Sequence, residues 1–244
     1  MSEAHRPTAR PVDEESSGLH RAVDGVKEGL GHVADDLKPR LRGWLHTGMA
    51  PVMFLAGLTL VVLTPTVGGR LAAAVYLICS ILLFGVSATY HRGSWTDSVK
   101  AVFRRVDHAN IFLFIAGTYT PMSYQLLTGR SRVTVLVLIW GVALLGVLFR
   151  VFWLSAPRAL YTALYVAMGW AAVGWMVPFW KAGGPLVVLL IVAGGLIYTA
   201  GAVVYARKRP NPSPEWFGFH EIFHACTVAA ALCHLAAISL ATFA

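Results

Sequence analysis

Apolar residues gather along this chain in seven long runs, separated by short polar breaks. The runs cover roughly residues 45 to 66, 70 to 90, 107 to 127, 133 to 153, 159 to 180, 185 to 206 and 216 to 242. Each is long enough for the roughly 20 residues that a helix needs to cross a hydrocarbon core. Lipid offers the backbone no hydrogen-bonding partner, so every run is expected to be helical. The breaks carry turn chemistry: Thr64-Pro65-Thr66 with Gly68-Gly69, Gly129, Ser155-Ala156-Pro157, Gly183-Gly184-Pro185, and Pro210 to Pro214. After the last of these, Ser213 reads as an N-cap, with Pro214 at the first helical position and Glu215 in the first turn. The fold class this predicts is all-α: a polytopic membrane protein folded as a seven-transmembrane-helix bundle over residues 44 to 244.

Residues 1 to 43 are polar and form a separate tail with no apolar run that could serve as a cleavable signal peptide, so the first membrane helix is expected to direct insertion. Within the tail Leu19, Val23, Val26, Leu30, Val33 and Leu37 follow an a/d spacing. Gly18, Gly25, Gly29 and Gly31 weaken any helix there by about 1 kcal/mol each relative to Ala. Two readings stay open: an amphipathic helix that lies on the membrane or pairs with a second copy in a homo-oligomer, and a partly disordered tail.

Composition agrees with the pattern. The chain is 57% hydrophobic and only 13% charged, with mean hydropathy +0.63, against a charged fraction near ~25% in soluble domains. Its net charge of +8 does not point to nucleic acid, because the basic residues punctuate the ends of apolar runs and never gather on one polar domain. They act as topology signals. Lys38, Arg40, Arg42, Arg92, Lys100, Arg104, Arg105, Arg150, Arg158, Arg207, Lys208 and Arg209 fall on one side, and Arg70, Arg130, Arg132 and Lys181 on the other. Twelve against four places the N-terminus in the cytoplasm and the C-terminus outside. Cys79, Cys226 and Cys233 lie inside apolar runs and imply no disulfide framework. Trp44, Trp95, Trp153, Trp180 and Trp216, near the ends of runs, read as an aromatic belt.

The chemistry concentrates in His220-Glu221-Ile222-Phe223-His224. A four-residue step turns a helix by about 40° and climbs about 6 Å, so both imidazoles can aim at one point. The same letters spell His-Glu-x-x-His, a zinc-protease signature with the Glu as base. A third reading leaves the two histidines at headgroup level with no ligand. Beyond residue 43 the chain has only four acids, Asp97, Asp107, Glu215 and Glu221. Asp107 and Glu221 fall in apolar runs, where an ionisable group is costly and a functional candidate. In the expected topology Ser87, His91, Asp107, His220 and His224 share one level near the cytoplasmic face. His91, His220 and His224 with an open fourth position make a zinc ligand set. Asp107 would be an outer carboxylate or proton acceptor, and Ser87 would fix it or a water.

Other polar groups are read as structural. His234 is about 15 Å further along its helix than His224 and cannot share the ion, so it is expected to hydrogen-bond inside the bundle. His108 is expected at the interface, Asn110 in helix packing, and His5, His20, His32 and His46 on the surface of the tail or its junction.

Ser87-Ala88-Thr89-Tyr90-His91, Asp107 leading to Gly117-Thr118-Tyr119-Thr120-Pro121, and the His220 to His224 motif followed by His234 together resemble the progestin and adiponectin receptor family, especially its bacterial hemolysin III-like members. The resemblance covers about residues 40 to 242. It implies a seven-helix bundle with zinc held near the cytoplasmic face by His91, His220 and His224, with Ser87 and Asp107 at the family's serine and aspartate positions. Relatives often carry another residue in place of Glu221, so the family pattern gives it no catalytic role. Through the motif set shared with alkaline ceramidases it implies a zinc-dependent hydrolase of lipid amides or esters, in the cell membrane and acting in membrane-lipid homeostasis. Gly194, Gly195 and Gly201 could open lateral access for the lipid. The rival classes are a lipid sensor or receptor with structural zinc, an intramembrane protease using Glu221, and a haemolysin-like pore, for which no continuous charged stripe is present.

Overall fold

The computed structural model describes residues 39–153 and 155–243. The expected amphipathic helix of the tail, from Leu19 to Leu37, lies outside the described residues. Within them the protein is all-helical, its one β feature an isolated bridge between Ser213 and Phe217. In chain order the helices are α1 (Trp44–Leu63), α2 (Val67–Arg92), α3 (Asp97–Leu126), α4 (Gly129–Phe152), α5 (Arg158–Gly169), a short 3-10 segment (Trp170–Trp175), α6 (Met176–Arg207) and α7 (Phe219–Phe243).

Five continuous helical stretches are long and apolar enough to cross a membrane: α1, α2, α4, the run from Arg158 to Arg207, and α7. A straight helix over that run would be about 75 Å long, far beyond a core of about 30 Å. The chain instead reverses at the expected Gly183-Gly184-Pro185 break, where Gly184 has φ 75°. Pro185 disfavours helical backbone in the residue before it, and glycine adopts positive φ without a steric penalty. The two arms then lie side by side. Arg158 Nη1 donates to the Tyr205 carbonyl at 3.4 Å, and Trp170 Nε1 donates to Thr199 Oγ1 at 2.9 Å.

The first arm is interrupted by the 3-10 segment, which frees helical backbone groups, and Tyr119 of α3 takes them up. Its hydroxyl accepts from the Ala172 N–H and donates to the Gly169 carbonyl, both at 2.7 Å. Irregular backbone at this depth persists because protein replaces the missing partner.

Two element boundaries differ from expectation for physical reasons. Helix α3 begins at Asp97, ten residues before the apolar run, because residues 97–106 form a charged, exposed extension of the same helix. Helix α7 begins at Phe219 and does not start at Ser213. There the carbonyls of Glu215 and Trp216 accept from the backbone N–H groups of Arg40 and Leu41 at 2.8 and 3.3 Å. That pairing holds residues 213–217 in a turn and bridge, and Gly218 takes the cap position.

Neighbouring helices pack in sequence order, α3 also meets α5, α6 and α7, and α7 meets α1, so the ring of helices closes around α3. Small residues set the close approaches. A Cβ on Gly117 of α3 would lie 2.6 Å from Cys79 Cβ of α2, and one on Gly201 of α6 would lie 2.7 Å from Cys226 Cβ of α7. In lipid such van der Waals fit is what holds helices together, since the tails are as apolar as leucine. Tyr76, Phe84, Phe112, Phe179 and Ile238 fill the interior. The outer face is apolar as well, with Phe152 82% and Leu145 68% exposed, which is the surface a bilayer covers. The five expected belt tryptophans are all partly exposed.

Gly117→Val overpacks the α2–α3 contact and is expected to destabilise the protein by about 1–3 kcal/mol. Gly141→Ala, where an added Cβ meets nothing within 4 Å, is expected to be neutral. Thermal unfolding in detergent micelles compares the two.

Candidate metal centre

Three helices bring the chemistry together. His91 sits in the last turn of α2, Asp107 three turns into α3, and His220 and His224 in the first two turns of α7. Because His220 and His224 are four residues apart on a helix, their rings lie on one face, tilted by 60° with centroids 4.5 Å apart. That face points at α2. His220 Nε2 and His91 Nε2 are 3.3 Å apart, and one nitrogen from each of His91, His220 and His224 falls within 4.8 Å of the other two. Two nitrogens each about 2.05 Å from a tetrahedral ion are about 3.3 Å apart. The donor set suits zinc: three imidazoles, two fully buried and one half-buried, converging with no lysine or arginine among them.

Asp107 Oδ2 is 3.9 Å from His91 Nε2, and the Ser87 side chain, one turn before His91, lies beside the Asp107 carboxylate. The five residues singled out in the sequence therefore meet at one place. Beside them opens a mostly apolar cavity with an empty volume of about 1100 Å³, including its open mouth. Ser87, Asp107, His220 and His224 line one end, and Trp170 and His234 lie along its wall. A smaller void beyond shares Tyr119, Trp170 and His234 with it.

Glu221 has a different job. Its Oε2 accepts from the Gly218 N–H at 2.9 Å, the reach from the third helical residue back to the N-cap. Its Oε1 is paired with Arg42 Nε. Both oxygens are occupied away from the histidines, so the side chain lacks the position a protease base needs. The His-Glu-x-x-His spelling combines a ligand pair with a helix cap.

The remaining groups divide. Asn110 Nδ2 donates to the Leu82 carbonyl of α2 at 2.9 Å, a packing role as expected. His234 Nε2 is 3.2 Å from the Ile191 carbonyl, inside the bundle as expected. His108 does not face the interface: its Nε2 is 3.3 Å from the Tyr205 hydroxyl and its ring lines the cavity. His46 corrects the surface reading. It is 3% exposed, and its ring lies flat on His224 with centroids 3.8 Å apart. Gly194 and Gly201 open no passage either, because His234 and Cys226 fill the space beside them; Gly195 alone of the three lines the cavity. Sequence reasoning missed Arg42 and His46. The signal available was that Glu221, buried in an apolar run, needed a cation, and Arg42 is one of the twelve basic residues expected on its side.

Fold and site together define a multi-pass α-helical membrane protein with a trihistidine group at one end of an apolar cavity. A family model described as Haemolysin-III related matches residues 36–235, and the chain belongs to that family. It is 31% identical over 141 residues to the hemolysin-3 homolog of Bacillus subtilis (strain 168), an alignment covering 57% of this chain and 66% of the relative. It is 26% identical over 199 residues to the hemolysin-3 of Bacillus cereus, covering 80% and 90%. Similarity extends to the progestin and adipoQ receptor-like protein 1 of Caenorhabditis elegans, 29% identical over 184 residues, with 68% of this chain and 42% of that protein aligned. The chain thus spans just under two thirds of the first relative and under half of the third. The family expected from the motifs is the one found.

Glu221→Ala is expected to cost about 1–3 kcal/mol, since it leaves a buried N–H unsatisfied and unpairs Arg42, while leaving metal content unchanged. Arg42→Met added to Glu221→Ala is expected to cost less than Arg42→Met alone, and a double-mutant cycle of thermal melts measures that coupling.

Proposed function

We propose that this protein is a zinc-dependent hydrolase of lipid amides or esters, folded as a seven-span bundle in the cell membrane with its N-terminus in the cytoplasm. The observation that carries the reading is the pair of imidazole nitrogens 3.3 Å apart, with a third close by and the Asp107 carboxylate alongside, at one end of an apolar cavity. The hairpin at Gly184 supports seven crossings, since it turns the longest helical run into two. The twelve-to-four bias of basic residues supports the orientation.

Zinc bound there would polarise the scissile carbonyl and make a water more acidic. His91, His220 and His224 hold it from two helices. Asp107, oriented by Ser87, stands where a proton from that water can be received and passed to the leaving amine or alcohol. The apolar wall formed by Phe114, Ile115 and Phe223 accepts an acyl chain and excludes bulk water from the reacting end. Turnover of membrane lipids by such a site would act in membrane-lipid homeostasis.

The distance from Asp107 to His91 also favours a second reading. A carboxylate 3.9 Å from an imidazole ligand is placed to close the coordination shell, and a closed site ties α2, α3 and α7 together without catalysis, as a lipid sensor needs.

Purified protein is expected to carry one zinc per chain, measured by elemental analysis, and His91→Ala, His220→Ala and His224→Ala are each expected to lose it. Asp107→Asn is expected to keep zinc and to lose about 10²–10⁴-fold in fatty-acid release from a panel of N-acyl and ester lipids. Zinc lost in Asp107→Asn, with no release by the wild type from any lipid, favours the sensor. Metal retained in all three histidine variants overturns both readings.

A further inference from the structure

His46 belongs to no expected ligand set, yet it is among the most buried polar residues of the protein. It lies in the first turn of α1, and neither of its ring nitrogens has a hydrogen-bond partner among the described residues. An imidazole always carries at least one N–H, and burying one unpaired costs about 1–3 kcal/mol. A leucine would fill the same space at no such cost. What the imidazole does make is ring contact: parallel to His224 within 7° at 3.8 Å, and edge-on to Phe84 at 5.0 Å and 82°. His46 also lines the cavity beside His224.

The described contacts of the His224 ring are themselves ring contacts, with His46 on its face and His91, His220 and Phe223 around it. A ligating histidine must be held about its outer torsion, which is otherwise broad. Metal sites usually do this by a hydrogen bond to the second ring nitrogen. Here a flat wall takes that place. The wall is anchored, because Arg42, one turn before His46, is paired with Glu221, one turn before His224. Between them Gly43, at φ 84°, brings its backbone so near α2 that an added Cβ would lie 2.7 Å from His91 Cβ.

We infer that His46 is a positioning residue for the metal centre: its face, clamped between Phe84 and His224, fixes the plane in which the His224 imidazole presents its nitrogen. The inference rests on the zinc reading above. It makes the start of α1 a wall of the site, so that α1 contributes to metal binding without giving a ligand. Aromatic area at position 46 is then what matters, and the ring nitrogens are dispensable.

The test uses the full chain in detergent. Zinc affinity is read by competition with a chromophoric chelator, and ligand geometry by the visible absorption of the cobalt-substituted protein. His46→Ala is expected to weaken zinc binding about 10- to 100-fold, the range for losing a group that orients a ligand, and to shift and broaden the cobalt bands. His46→Phe, which keeps a flat ring without nitrogens, is expected to restore affinity to within about threefold of wild type, with the wild-type cobalt spectrum. Size-exclusion profile and helical circular dichroism are read for each variant, and His46→Phe decides the matter if His46→Ala does not fold. Equal loss in both variants overturns the inference by showing that the nitrogens act, and wild-type affinity in His46→Ala overturns it by showing that the wall is idle. A wild-type chain that binds no zinc removes the zinc reading itself, whereas zinc-loaded wild type with an unaffected His46→Ala removes only this inference.

Discussion

A carboxylate inside an apolar bundle must be met by another protein group, because the surrounding lipid offers it nothing. That constraint fixes the end of the bundle that carries the histidines. Two acids lie within membrane helices at one level, and each has drawn a different set of elements around it. Glu221 pulls the segment before α1 onto the start of α7 through Arg42, and caps α7 through the Gly218 N–H. Asp107 of α3 faces His91 of α2, with the Ser87 side chain beside it. Since His91 in turn faces His220 on α7, the two acids lock four helices, α1, α2, α3 and α7, around one group of imidazoles.

The rest of the bundle obeys a weaker rule, that small residues let helices approach and large ones fill what remains. Gly117 against Cys79 and Gly146 against Phe112 fix the spacing of α2, α3 and α4. Such contacts are individually small and leave one region incompletely filled, between α3, the two arms of the 158–207 hairpin and α7. The cavity is that region. The 3-10 segment at Trp170–Trp175 begins at its wall, and the Tyr119 hydroxyl, also in the lining, bonds the backbone of that interruption.

Much of this was legible in the sequence, and what was not has identifiable causes. Apolar runs mark helices strongly because the bilayer imposes both length and composition, so the break at Gly183-Gly184-Pro185 could be placed to the residue. The register of His220 and His224 followed from helical geometry alone. The ten extra residues of α3 could not be read, since a helix projecting beyond the apolar run carries Lys100, Arg104 and Arg105 and resembles a loop. The start of α7 was misplaced because Ser213-Pro214-Glu215 satisfies local capping rules, while the decisive partners, Arg40 and Leu41, are far away in sequence. The same distance hid His46 and Arg42. A histidine at the junction of a charged tail and a membrane helix looks exposed until the helix across from it is known.

The division of labour between Asp107 and Glu221 bears on what kind of site this is. Both are near the imidazoles, and a motif search would favour Glu221, which sits between two of them in the chain. Coordination geometry favours the other. Both Glu221 oxygens are engaged by partners that hold the fold and the side chain is not part of the cavity lining, whereas Asp107 lines the cavity beside the histidines. A carboxylate that faces the polar end of an apolar cavity is the one a ligand in that cavity would meet. The fold therefore separates two tasks: Glu221 holds the start of α7 to the segment before α1, and Asp107 faces the cavity.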